Sequence, residues 1–258
     1  MAESAFSNRE QSALVIGGGA IASAIARKWL SHHTAGRLQL ITRNTQHWRQ
    51  HNSWSQQYAH LQLIQADVLD DTQWPQAVTQ IDGGLDGQAP LRFAFIGTGV
   101  LHQDQYQPER QLNQLDSAWM LHNFRVNTLL PARVISHLST RFPKHGSYLL
   151  AALSARVGSI GDNRLGGWYS YRASKAALNQ FIHTAAIELK RQNPASICVS
   201  LHPGTVDSAL SQPFQARVPA QQLFSAEHSA HCLWQVMTGL SPQQSGGFYA
   251  WNGQAIDW

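Results

Sequence analysis

The segment Tyr171-Arg172-Ala173-Ser174-Lys175 places a phenol and an ammonium four residues apart. On a helix these two positions share a face, one turn apart. An ammonium beside a phenol stabilises phenolate and draws the tyrosine pKa toward the working range. Such a tyrosine can give a proton to a developing alkoxide or take one from an alcohol. Upstream, Ser154 follows the apolar run 147–153. A hydroxyl at the carboxyl end of a central strand sits where open α/β sheets place ligands, and it can hydrogen-bond a substrate oxygen. A lone Tyr-x-x-x-Lys is common on solvated helix faces. Here it follows an earlier glycine turn, Gly17-Gly18-Gly19-Ala20-Ile21-Ala22, in the order that dinucleotide chemistry requires. Gly17, Gly19 and Ala22 match G-x-G-x-x-A. This pattern makes a tight turn, lets backbone approach a pyrophosphate, and puts a small residue where helix meets strand. The helix that starts at Ala20 and Ile21 would aim its first amides and its positive dipole end at the phosphates.

These groups must be positioned by alternating elements. Strand-like runs occur at 13–17, 37–42, 61–66, 92–97, 147–153, 196–201 and 247–250. Helical patterns occur at 21–30, 70–81, 115–139, 169–191 and 226–237. Alternation of this kind predicts an α/β fold, a parallel sheet with helices on both faces and right-handed crossovers. The reading is one doubly wound Rossmann domain over residues 1–258, with a sheet of about seven strands. No long linker, repeat or low-complexity tract divides it, and 83–90 reads as a loop.

The second strand ends at Thr42-Arg43-Asn44, and no Asp or Glu lies between Gly36 and Asp67. A carboxylate there would bind the ribose hydroxyl of NAD and repel a 2′-phosphate, whereas Arg43 can bind that phosphate with a bidentate fork. NADP(H) is therefore preferred and NAD(H) stays possible; Arg43 as a solvated loop cation is the alternative. Asp67-Val68 follows the third strand, where a short acid can accept from an adenine amino group or cap the next helix. Asn127 is a poor helix former inside its helical run. Pro131 has no N–H for the Asn127 carbonyl four residues back. A bent helix with a water site is one outcome, a harmless kink the other.

The chain resembles the short-chain dehydrogenase/reductase family over nearly its whole length, and within it the branch named for the bacterial C-factor. The segment from Ser154-Ala155-Arg156-Val157-Gly158 through Gly167-Trp168-Tyr169-Ser170-Tyr171 to Asn179 carries this, as does the end from Gly246-Gly247-Phe248 to Trp258. The resemblance implies Tyr171 as general acid/base and Lys175 as the group that binds the nicotinamide ribose and depresses the tyrosine pKa. It implies Ser154 as the group that orients the carbonyl or alcohol, and Asn127 as the holder of a water linked to Lys175. Pro203-Gly204-Thr205-Val206-Asp207-Ser208 is similar to the family's P-G-x-x-x-T turn over the nicotinamide. Val206 would then meet the carboxamide, and Ser208 would lie near the phosphates. Two features depart from the family pattern. The glycine turn is one residue shorter, and Gly97-Thr98-Gly99 stands where many members have N-N-A-G.

Composition narrows the partners. The 258 residues carry a net charge of +4, with 13% charged and 43% apolar residues. No Lys/Arg block could track a phosphate backbone, so nucleic acid is not expected. No apolar run reaches the length of about 18 residues that spans a membrane, and the polar N-terminal segment does not read as a signal peptide. Cys198 and Cys232 read as buried free thiols in a cytoplasmic protein. No His/Cys/Asp set has metal-ligand spacing, and no G-x-S-x-G elbow is present. The 13 histidines read mostly as surface residues. Trp168, Phe214 and Trp251 are placed near the pocket mouth. Helices 115–139 and 169–191 are apolar on more than one face; in the family such helices pair, so a homodimer or homotetramer is expected. The expected activity is carbonyl–alcohol interconversion on a small molecule. The alternative is a cofactor-binding signalling or regulatory protein of the C-factor type.

Overall fold

The computed structural model describes residues 11–85 and 89–258. The N-terminal segment up to residue 10 and residues 86–88 lie outside the described residues; of the stretch 83–90 read as a loop, 83–85 belong to a helix instead. In chain order the strands are β1 (Ser12–Ile16), β2 (Arg37–Thr42), β3 (Leu61–Gln65), β4 (Leu91–Ile96), β5 (Tyr148–Leu153), β6 (Ser196–His202), β7 (Thr205–Val206), β8 (Leu223–Phe224) and β9 (Phe248–Ala250). Seven of them form one parallel sheet in the order β3-β2-β1-β4-β5-β6-β9. β1 and β5 are buried along their whole length, as continuous apolar runs covered on both faces should be. The order reverses between β1 and β4, which opens a crevice at their carboxyl ends. β7 and β8 make a separate parallel pair that the sequence reading does not contain.

The helices are α1 (Ala20–His32), α2 (Thr45–His51), α3 (Gln73–Leu85), α4 (Ser117–Phe124), α5 (Leu130–Leu138), α6 (Tyr169–Gln192) and α7 (Ala226–Gly239). One core layer joins the sheet to α3, α5 and α6 through Ile81, Val134 and Leu178. The other joins it to α1 and α7 through Trp29 and Trp234. Three helices differ from expectation. α2 is additional, and the Asn44 side chain caps it by accepting from the His47 amide. α3 starts later than residue 70, because the Asp70 carboxylate accepts from the Thr72 and Gln73 amides at its entry. The 115–139 run is broken by a π-helical turn, Arg125–Leu129. Both cysteines are free, but only Cys198 is buried; Cys232 on α7 is half-exposed, which corrects the reading of two buried thiols. Among the described residues no helix is long and apolar enough to cross a membrane.

Candidate active site

At the crevice, two missing side chains bring backbone together. Gly17 has φ +114°, and a Cβ there would stand 3.2 Å from the Gly97 backbone. A Cβ on Gly97 would stand 2.8 Å from that of Ala22. Any larger residue at these points would push α1 off β4. Above them, a Cβ on Gly19 would meet nothing within 4 Å. α1 has no acid in its first turn and no side-chain cap, so its Ala20 and Ile21 amides begin the helix toward open space. That cradle fits a pyrophosphate. Arg43 is exposed just after β2, and no ion pair among the described residues engages it. Asp67 spends one carboxylate oxygen on the Leu69 amide at 2.9 Å, so it shapes its own turn. The Val68 side chain is buried in the core, which leaves only its backbone for a ligand.

The π turn explains Asn127. Pro131 cannot donate, and the Leu130 amide instead reaches the Arg125 carbonyl five residues back. The bend drives the Asn127 side chain inward, where it is fully buried. Its Oδ1 accepts from the Val100 amide at 2.8 Å, and its Nδ2 donates to the Val100 carbonyl at 2.9 Å and to Ser174 Oγ at 3.0 Å. The side chain thus ties the loop after β4 to α6. Gly99 lies in that loop, and a Cβ there would be 3.5 Å from both Asn127 Oδ1 and Lys175 Nζ.

Tyr171 and Lys175 are both buried on α6, and Lys175 Nζ lies 5.9 Å from the Tyr171 ring centroid. Nζ donates to the Leu153 carbonyl at 2.8 Å, the last residue of β5. Gly158 permits this packing, since a Cβ there would stand 2.8 Å from the Lys175 Cβ. Burial pushes the Lys175 ammonium down to about 7 and pushes the Tyr171 phenol up. Desolvation is the cause for both groups, and on the phenol it acts against the lowering expected from a neighbouring lysine. Among the described residues, Thr98 Oγ1, Ser154 Oγ and His202 Nδ1 are buried polar atoms without a hydrogen-bond partner. They stand at or just beyond the carboxyl ends of β4, β5 and β6. Burial and the nearby Arg156 push the His202 imidazole down to about 4. Buried donors and acceptors without partners are costly, and a ligand oxygen that supplies the bonds recovers that cost.

The β6–β7 turn closes the site. Gly204 has φ +78°, with Phe224 and Trp251 against the place a Cβ would fill. The Pro203 carbonyl accepts from Ser229 Oγ at 2.8 Å, and Val206 is buried. Ser208 Oγ bonds the Val206 carbonyl at 3.2 Å, a local contact rather than one aimed outward. A cleft of about 880 Å³ is lined by Trp168 and Phe214, as expected, but not by Ser154, Tyr171 or Lys175; Trp168, whose ring centroid is 6.3 Å from that of Tyr171, connects the two. Trp251 is not in that lining; its ring packs 4.6 Å from Phe224. The sequence reading also lacks Glu109 and Arg172, which hold the entry of α6. The sole sequence signal for either is a carboxylate in a stretch otherwise rich in amides.

Residues 11–218 match the short chain dehydrogenase family. The chain belongs to that family. Membership makes it a nicotinamide-dependent oxidoreductase. The C-signal protein of Myxococcus xanthus is 33% identical over 147 residues, 57% of this chain and 83% of the relative. A 1-hydroxy-2-glutathionyl-2-methyl-3-butene dehydrogenase of Rhodococcus sp. (strain AD45) is 30% identical over 168 residues, 65% of this chain and 69% of the relative. In architecture the chain is similar to an NADPH-bound carbonyl reductase from chicken fatty liver, with a TM-score of 0.82, 21% identity, and coverage of 97% and 100% of the two chains.

Proposed function

We propose that this oxidoreductase interconverts a carbonyl and an alcohol on a small molecule, with NADP(H) as its preferred cofactor and Tyr171 as its general acid/base. One observation carries the reading. A buried, unpartnered Ser154 hydroxyl stands at the end of β5, beside the buried Tyr171–Lys175 pair. Bound in the crevice, a reduced nicotinamide would supply the hydride. The chain's own residues do the rest. Gly17, Gly19, Ala20 and Ile21 receive the pyrophosphate; Arg43 takes the 2′-phosphate; Gly97, Gly99, Pro203, Gly204 and Val206 shape the floor and cover. The Asp67 turn and the Val68 backbone flank the adenine, and Ser208 lies at the phosphate end. Ser154 holds the substrate oxygen. A phenol raised by burial keeps its proton at neutral pH, the form that donates to an oxygen gaining negative charge. Lys175 orients the ribose, and Asn127 keeps Lys175 and the β4 loop in register.

The relationship to C-signal favours a second reading, a cofactor-binding signalling protein with little catalysis. Oxidation of NADPH against a panel of aldehydes, ketones and diketones separates the two. Turnover of any carbonyl supports the enzyme; none, with NADPH bound, supports the binder. The free thiols fit a cytoplasmic setting. We further assign a homodimer or homotetramer, because Leu121, Leu129 and Ile187 are exposed on α4, the π turn and α6. Sedimentation at micromolar concentration is expected to give a multiple of 28.6 kDa, and a mass at 28.6 kDa would rule assembly out.

A further inference from the structure

Residues 166–168 form a left-handed turn at the entry of α6. Gly166, Gly167 and Trp168 have φ of +64°, +66° and +53° in succession. Glycine adopts this region freely, but a tryptophan is strained there. Such strain persists only where the surroundings over-determine it. Two residues do so here. The Glu109 carbonyl accepts from the Trp168 amide at 2.5 Å. The Glu109 carboxylate is 3% exposed and accepts from both the Ser170 amide and the Ser170 hydroxyl. From the other side, Arg172 donates to the carbonyls of Gly167, Gly166 and Val157. The turn therefore cannot relax without breaking charge-assisted hydrogen bonds. Its effect is to hold the Trp168 indole edge-on to the Tyr171 ring, 6.3 Å between centroids, and 5.1 Å from the Phe214 ring. The indole lines the cleft and is also in ring contact with Tyr171, which is not itself in the lining.

We propose that Glu109 is a positioning residue that clamps this left-handed turn, and that the clamped Trp168 is a specificity-determining residue: it admits flat carbonyl substrates to Tyr171 and rejects those branched beside the carbonyl. The selectivity half rests on the oxidoreductase reading above; the clamp half does not.

Two variants separate wall from clamp. Trp168→Gly removes the wall, and glycine takes a φ of +53° without strain, so the turn survives. Glu109→Ala removes the carboxylate and keeps the wall. Glu109→Gln retains the shape and one acceptor oxygen, and should restore part of the loss; it also serves if Glu109→Ala does not fold. The first measurement is hydrogen exchange of the full chain. Exchange at the Trp168 and Ser170 amides should rise about tenfold or more in Glu109→Ala, less in Glu109→Gln, and little in Trp168→Gly. The second is the ratio of kcat/KM for a flat aromatic aldehyde to that for a ketone branched next to its carbonyl. It should fall about tenfold in both Trp168→Gly and Glu109→Ala, chiefly through KM for the branched ketone, with NADPH affinity unchanged. Unchanged exchange in both Glu109 variants overturns the clamp. An equal loss on both substrates overturns the selectivity. If the unmodified chain turns over neither carbonyl, the oxidoreductase reading and the selectivity fall together, while exchange still decides the clamp.

Discussion

The two ends of the crevice are built on opposite terms. At the β1–β2 end the ligand-facing groups are loose: Arg43 is exposed without an ion pair among the described residues, and α1 starts uncapped toward open space. At the β5–α6 end most groups are tied. Asn127 bridges Val100 and Ser174, Lys175 holds the Leu153 carbonyl, and Glu109 holds Ser170. On the function proposed above, the difference follows from what each end has to do. A group that recognises a charged phosphate is well kept in water, because the ligand brings its own partner charge. A group that moves a proton must be held in its reactive geometry beforehand, since misplacement by even a fraction of a hydrogen bond costs rate. Substitutions at the tied end should therefore change rate or stability, and those at the loose end should change affinity.

The largest expected effect tests the tied end. Tyr171→Phe should lose on the order of 10²–10⁴ in turnover, the range of a positioned acid/base group, with NADPH affinity nearly unchanged. Steady-state rates and a fluorescence titration check both halves, and retention of more than about a tenth of the activity breaks the assignment. Ser154→Ala should likewise cost rate, and Lys175→Ala both rate and binding.

Next in size is a stability effect at Lys175. Burial lowers its folded pKa to about 7, below the ordinary lysine value of 10.5. Between those values the unfolded chain binds a proton that the folded chain does not, so stability rises with pH across that window. Below about 7 both states are charged, and the full cost of burial is present. The advantage of Lys175→Met over the unmodified protein in urea should therefore shrink by about 2–3 kcal/mol between about pH 7 and pH 9. A constant difference would mean that Lys175 stays charged when buried.

The smallest effect tests the loose end. Arg43→Ala should weaken NADPH by about 1–3 kcal/mol and leave NADH nearly unaffected, the scale of a charged hydrogen bond. Equal affinities for the two cofactors in the unmodified protein would remove the contrast between the ends.

What could be read from the sequence was local. The glycine turn, the Tyr-x-x-x-Lys spacing and the strand before Ser154 are each encoded within a few residues, and the alternation of elements follows from periodicity. Pro131 announced the bend at Asn127, but not the reach of its amide to Val100, which depends on a loop from another strand. Spacing shows the lysine beside Tyr171 but not the burial of both groups, which pushes the phenol the other way. Asp67 was ambiguous because adenine binding and turn capping use the same short carboxylate. Glu109 was missed because it acts on Trp168 and Ser170 far along the chain, and half of its hold is a backbone carbonyl that any residue carries.

The strand order also dictates a schedule for synthesis. Leu14 of β1 lies between Gln39 of β2 and Ala94 of β4, so the first strand made must wait for the fourth before its second edge is covered. At the other side of the sheet, Ser200–His202 of β6 pairs with Phe248–Ala250 of β9, which follows β6 only after α7 has been made. A nascent chain therefore carries an open β6 edge until β9 has been made and has paired with it. Open edges pair with one another when concentrated. The vulnerable interval in synthesis is thus the one between β6 and β9, and a chaperone that shields β6 from neighbouring nascent chains would act there.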